Sequence, residues 1–156
     1  ELDFTVNWEK LDKYDIVTCW GIIEHTIHPV IILKTANNVL NDKGIVTAGV
    51  PRWNSFGSKI QTMFPSTIIR HLDPLGHINC FTDSSLATAL VNAGFNLQAA
   101  WYYGMDVYEL LYQLALLFED DDFIEKSKII IAGAQDSIDS GLLSDSMVFL
   151  GQKIKE

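Results

Sequence analysis

Positive charge is scarce in this chain: 11 Lys and Arg residues stand against 20 Asp and Glu, a net charge of -9. Such a field repels phosphate backbones, so no nucleic acid partner is expected. Arg52, Lys59 and Arg70 are too scattered to form a basic patch that would overrule it. Cysteine is scarcer still. Cys19 and Cys80 stand in no CxxC or other metal-ligand spacing, which argues for reduced thiols in a cytoplasmic protein rather than a disulfide framework. No apolar run reaches the ~18 residues that a membrane span needs, so no membrane partner is expected. The opening "ELDFTVNWEK" lacks the basic start and apolar core of a signal peptide, and it lacks Met at position 1; it reads as the start of a piece of something longer. Internal repeats and low-complexity tracts are also missing.

What is present is globular: 48% hydrophobic and 20% charged in 156 residues, enough for one domain with a core and too few for two. "YDIVTCW" (14 to 20) is a β-branched run of the kind found in central parallel strands. Pro29 sits where a first helical turn tolerates it, and Ile32, Leu33, Ala36, Val39 and Leu40 then repeat at helical spacing. "NDKG" (41 to 44) reads as a turn with Gly44 at positive φ, and "IVTAGV" (45 to 50) as a second buried strand ended by Pro51. Strand, helix and strand with short links make a parallel βαβ unit. Residues 52 to 81 carry no sustained period beyond a short helix at Lys59 to Phe64, and read as a lid or binding-loop excursion. Thr82 or Asp83 caps a helix over "TDSSLATALVNA" that Gly94 ends. "FNLQAAWYY" (95 to 103) is a strand, Val107 to Phe118 an amphipathic helix with a leucine stripe expected in the core, or alternatively on a dimer face, and Ser127 to Ile138 another helix. The "EDDD" run (119 to 122) is a solvated junction rather than a metal site. "SDSMVFLGQK" (144 to 153) closes the chain as a strand. The fold class is α/β, an open sheet with helices on both faces.

In open α/β sheets ligands bind outside the carboxyl ends of the strands. That places Cys19, Trp20 and Gly21 at the ligand edge with Pro51 to Asn54 beside them. Gly21 either lets backbone approach a ligand or merely turns the chain, and Trp20 either lines the site or fills core.

The order of the pieces adds a further reading. "FDVV"-like Tyr14-Asp15-Ile16-Val17, then Glu24-His25 with Pro29, the turn Leu40 to Gly44, Pro74 through His77, Phe81-Thr82, Ser85-Leu86 and Ala93-Gly94-Phe95 together resemble the class I S-adenosylmethionine-dependent methyltransferases, in particular their small-molecule, ubiquinone-biosynthesis-like branch. The likeness is close over residues 14 to 103. It implies a Rossmann-like sheet, mostly parallel with the last strand antiparallel, seen here as the second half of the domain in residues 1 to 156. The family's GxGxG loop and the acidic residue of its second strand do not occur upstream of Tyr14 in this chain.

The resemblance implies S-adenosylmethionine as cofactor, touched by Asn7, Trp8, Cys19, Trp20 and Gly21, and a small-molecule acceptor. His25 and His77 are its candidate catalytic residues, as bases toward the acceptor; each has the alternative of pinning local backbone. Trp53 and His71 are candidate substrate contacts, with a small core inside the lid as the alternative. Some relatives in that branch bind a divalent metal with acidic residues here, but the position three before Glu24 is Gly21, so no metal is expected. A non-catalytic scaffold or dimerisation module is the alternative function, and a homodimer is the expected assembly.

Overall fold

The computed structural model describes residues 8–63, 71, 75–120 and 122–155, with backbone alone for Trp8. Its centre is a four-stranded sheet in the order β1-β2-β4-β3. Strand β1 (Tyr14–Trp20) lies parallel to β2 (Leu40–Pro51), the two being joined through helix α1 (Pro29–Val39). Strand β4 (Ser146–Lys153) runs antiparallel to β2 on one side and to β3 (Phe95–Tyr103) on the other. Three strands therefore share a direction and the last opposes them, as the resemblance implies.

Alternation along β2 sorts its residues. Val46, Ala48 and Val50 point into the core, where they meet Met147 and Phe149 of β4, Leu33 and Ala36 of α1, and Leu86 and Leu90 of α3 (Asp83–Asn92). Phe95 is fully buried among them, and truncating such a side chain to Ala costs about 3–5 kcal/mol. Helix α3 starts as its sequence predicts: the Thr82 hydroxyl accepts from the Ser85 amide and the Ser85 hydroxyl accepts from the Thr82 amide, a reciprocal capping box.

The two helices that cover the core, α1 and α3, lie on one face. On the opposite face Ile16 is 59% exposed, Trp20 53% and Trp101 60%, so among the described residues cover on both faces is not present. The turn at 41 to 44 also differs. Strand β2 begins at Leu40, and the positive φ falls on Lys43 at 62° rather than on Gly44. Gly44 is instead required by space: a Cβ there would sit 2.9 Å from the Asn41 carbonyl and from the Leu40 side chain.

The remaining helices pack on one another as a second layer. Helix α2 (Phe56–Met63) starts three residues before the helix expected at Lys59 and packs on α4 (Asp106–Phe118), which in turn packs on the short α5 (Phe123–Lys126) and on α6 (Lys128–Ser140). Fully buried Asp106 ties this layer together. Its Oδ1 accepts from the Gly57 amide at 2.6 Å, and its Oδ2 accepts from the Asp145 amide and from Gln135 Nε2 at 3.1 Å each. No helix of the described residues is long and apolar enough to cross a membrane.

Candidate functional site

The chain leaves β1 through Gly21, whose amide donates to the Gly49 carbonyl at 3.0 Å and whose φ is +62°. A side chain is disfavoured there, because Cβ crowds the carbonyl in the left-handed region. The next turn, a 3-10 helix at Ile23–His25, presents Glu24 and His25. Glu24 is 2% exposed; its Oε1 lies 3.7 Å from His25 Nε2, and its Oε2 has no hydrogen-bond partner among the described residues. His25 Nδ1–H donates to the Gly76 carbonyl at 2.7 Å, which fixes the tautomer of the neutral ring and leaves Nε2 as the lone pair.

His77 comes from the far side of the cleft. Its ring centroid lies 4.7 Å from that of His25, and its buried Nδ1 lacks a hydrogen-bond partner among the described residues. Asn79 holds the two segments together: its amide donates to the Glu24 carbonyl at 3.0 Å, and its Nδ2 to the Thr26 carbonyl at 2.6 Å and the Ile23 carbonyl at 3.3 Å. His71, 5% exposed, receives a different hold. Its amide donates to Gln61 Oε1 at 2.9 Å, and Gln61 Nε2 donates to Glu109 at 3.2 Å, so α2 and α4 position it. Its Nε2 lies 3.9 Å from Asp145 Oδ2, and its ring 6.4 Å from that of His77. Glu24, His25, His71 and His77, with Trp20, Gly21, Pro51 and Tyr103, line a cleft of about 340 Å³ at the carboxyl ends of β1 and β2.

The structure therefore brings together His25, His77, His71, Trp20 and Gly21. Trp20 does not fill core. Its ring lies across Gly49, where a Cβ would be 3.2 Å away, and stacks 6.1 Å from Tyr103, itself 4.8 Å from Trp101. Cys19 turns the other way: its side chain is 3% exposed in the core, burial pushes its thiol up to about 11, and it is not among the residues that line the cleft. Trp53 is 42% exposed and stands outside the cleft lining. Asn7 lies outside the described residues, and Trp8 is described only as backbone in the 3-10 turn Trp8–Lys10. Tyr103, Ser146 and Gly49 line the cleft, and Asp145 faces His71, without having been picked out from sequence. They come from strands that read as plain core, and only the order β1-β2-β4-β3 brings them to Trp20.

Beside the cleft, Arg52 anchors the chain as it leaves β2. Its Nε donates to both Asp83 oxygens at 3.2 and 3.0 Å, its Nη1 donates to the Leu142 carbonyl at 2.6 Å, and its guanidinium lies 5.0 Å over the Tyr102 ring. Partial burial would raise the Asp83 pKa, but hydrogen bonds from Asn54, Arg52 and Tyr102 outweigh it and hold the carboxyl below its ordinary value.

A family model described as a methyltransferase domain matches residues 2–100. No curated protein matches the chain. Among solved structures it is similar to a SAM-dependent methyltransferase from Archaeoglobus fulgidus, at 16% identity and a TM-score of 0.58, over 98% of this chain and 66% of that one. It is also similar to a SAM-dependent methyltransferase from Thermotoga maritima, described as a possible histamine N-methyltransferase, at 14% identity and a TM-score of 0.58, over 92% and 57% of the two chains. A third is the [4+2]-cyclase SpnF, at 15% identity and a TM-score of 0.56, over 99% of this chain and 55% of the other. The chain thus spans about half to two thirds of the length of these proteins, and at such identities the likeness is one of fold.

Proposed function

We propose that this chain, which belongs to the methyltransferase-domain family, serves methyl transfer from S-adenosylmethionine to a small-molecule acceptor. The observation that carries this reading is the convergence of Glu24, His25, His71 and His77 on one cleft beside the Trp20–Gly21 turn. The cofactor, when bound, supplies a strongly electrophilic sulfonium, so the protein's share of the work is alignment and the handling of the acceptor's proton. The residues present fit such a group. The glycine at position 21 leaves its main chain uncovered, and the exposed face of Trp20, stacked with Tyr103, is a π surface that attracts a cationic sulfur. We assign Cys19, Trp20 and Gly21 to that end, with Asn7 and Trp8 toward the adenine as the resemblance implies.

On the acceptor side, His25 Nε2 is the base, because its Nδ1–H is committed to Gly76. His77 Nδ1 is the second candidate, and His71, with Trp53 at the margin, contacts the acceptor. The free thiols of Cys19 and Cys80 support a reducing, cytoplasmic setting. One observation favours a second reading, a non-catalytic scaffold: the outer sheet face leaves Ile16 and Trp101 more than half exposed, which suits self-association. The cyclase among its structural neighbours is a reminder that this fold carries other chemistry.

The test uses the protein expressed from its complete gene, incubated with methyl-labelled S-adenosylmethionine and a small-molecule extract. Label should pass to an extract component, and His25→Ala should lower the rate about 100-fold, the low end of what a positioned base contributes. Absence of transfer together with absence of S-adenosylhomocysteine binding would leave the scaffold.

A further inference from the structure

Glu24, His25 and His77 each present one metal-ligating atom, and all three atoms lie within 4.8 Å of one another. From this cluster we propose a divalent transition-metal site in the cleft, of the zinc class, held by the Glu24 carboxylate and the two imidazoles, with its remaining position open to water or to an acceptor oxygen.

A carboxylate oxygen buried without a hydrogen bond is costly, and Glu24 Oε2 is in that position at 2% residue exposure. His77 Nδ1 is likewise buried and without a hydrogen-bond partner among the described residues. A proton on His25 Nε2 would compensate Glu24 Oε1, 3.7 Å away, yet it would leave Oε2 and His77 Nδ1 as they are. A cation answers the carboxylate and both imidazoles together.

The surroundings are those of a ligand set. Metal-ligating imidazoles typically donate their second N–H to a carbonyl, which fixes the ring and raises its basicity; His25 does so to Gly76. Asn79 bonds the main chain on either side of His25, so the segment that carries His77 is fastened to the one that carries Glu24. Two nitrogens and one carboxylate suit Zn²⁺, Co²⁺ or Ni²⁺, whereas Mg²⁺ and Ca²⁺ prefer oxygen throughout. Ligands at ~2.0–2.1 Å in tetrahedral array stand about 3.3 Å apart, so the loading of the site draws the three groups inward. Gly21 gave the sequence reading no second acidic ligand, and no spacing announces His77. The missing ligand arrives from the excursion instead.

The inference engages the His25 and His77 imidazoles that the proposed function names as bases: a loaded site would take both out of that role, whereas failure of the inference would leave the methyl-transfer reading standing. The test is calorimetric titration of ZnCl₂ into the Cys80→Ser protein, which removes the exposed thiol, with Co²⁺ absorption as a second readout. One equivalent should bind, with Mg²⁺ giving no heat at millimolar concentration. His77→Ala should weaken binding about 100-fold and Glu24→Gln at least tenfold, on the scale set by losses at ligands and their supports. His28→Ala should change nothing. In unmutated protein, Zn²⁺ should move the imidazole nitrogen resonances of His25 and His77 and leave those of His28 in place, a result that needs no variant to fold. No zinc heat, zinc binding indifferent to His77→Ala and Glu24→Gln, or resonance shifts confined to His28 would each overturn the proposal.

Discussion

Asp83 shows how one residue couples the cleft's margin to pH. It accepts from Arg52, Asn54 and Tyr102, and those bonds hold its pKa below the ordinary value. A carboxyl with a lowered folded-state pKa stabilises the fold above its unfolded value of 3.8 and loses that contribution as pH falls through the lower folded value. Asp83→Asn should therefore cost about 1–2 kcal/mol at neutral pH, and the gap between variant and parent should narrow in denaturant unfolding below about pH 4. A gap that stays constant down to pH 2 would refute this. The two thiols make a second contrast at the same scale. Cys19 is buried with its pKa pushed up to about 11, while Cys80 is exposed. A thiol reagent at pH 8 should label Cys80 alone in native protein, and Cys19 only after unfolding. At the residue scale Trp20, Gly21 and His25 stood out in the sequence as the polar end of an apolar strand, and His71 and His77 as histidines of the excursion; the structure places all five around one cleft. The sequence did not disclose Tyr103 or Asp145, which look like ordinary strand and turn residues until the sheet order sets them opposite Trp20 and His71.

At the scale of the element, periodicity located the strands and most helices, since an alternation or a helical stripe survives any tertiary context. It did not say which stripe faces inward. In α4 the leucine stripe was expected in the core or on a dimer face; Leu110, Leu111 and Leu114 are half-buried, but Leu117 is 66% and Phe118 61% exposed, while Asp106, Glu109 and Gln113 are buried. The reason is the partner: Asp106 binds the α2 amide of Gly57, and Glu109 binds Gln61, so polar groups on one helix are answered by polar groups on the other. Local chemistry was more legible where it is self-contained, as in the Thr82–Ser85 capping box. Thr82→Ala should lower stability by about 1 kcal/mol, read from the midpoint of urea unfolding with an unchanged slope. Loss of α3 without such a small, graded shift would contradict the account of its start.

For the whole molecule, the telling feature is a sheet with a covered face and an open one. Strand β1 ends the order β1-β2-β4-β3, so its outer edge is unpaired among the described residues, and Ile16, Trp20 and Trp101 are exposed on the open face. Unpaired edges and apolar faces of this kind drive association. This chain should sediment as dimers or larger species at rising concentration, and Ile16→Lys should shift it toward monomer. A clean monomer at all concentrations would contradict that expectation. Class and topology were readable because five short pieces occur in one order; the open face was not, since a strand covered on one side and one covered on both read alike when β-branched.

Whether the carboxyl end of β1 receives the cofactor is read by amide-resolved NMR of this chain titrated with S-adenosylhomocysteine, which registers even millimolar affinity. Shifts are expected at Cys19, Trp20, Gly21, Gly49 and Tyr103, with Lys34 and Lys155 at the opposite end unmoved. No shifts at saturating ligand, or shifts gathered away from β1, would contradict it.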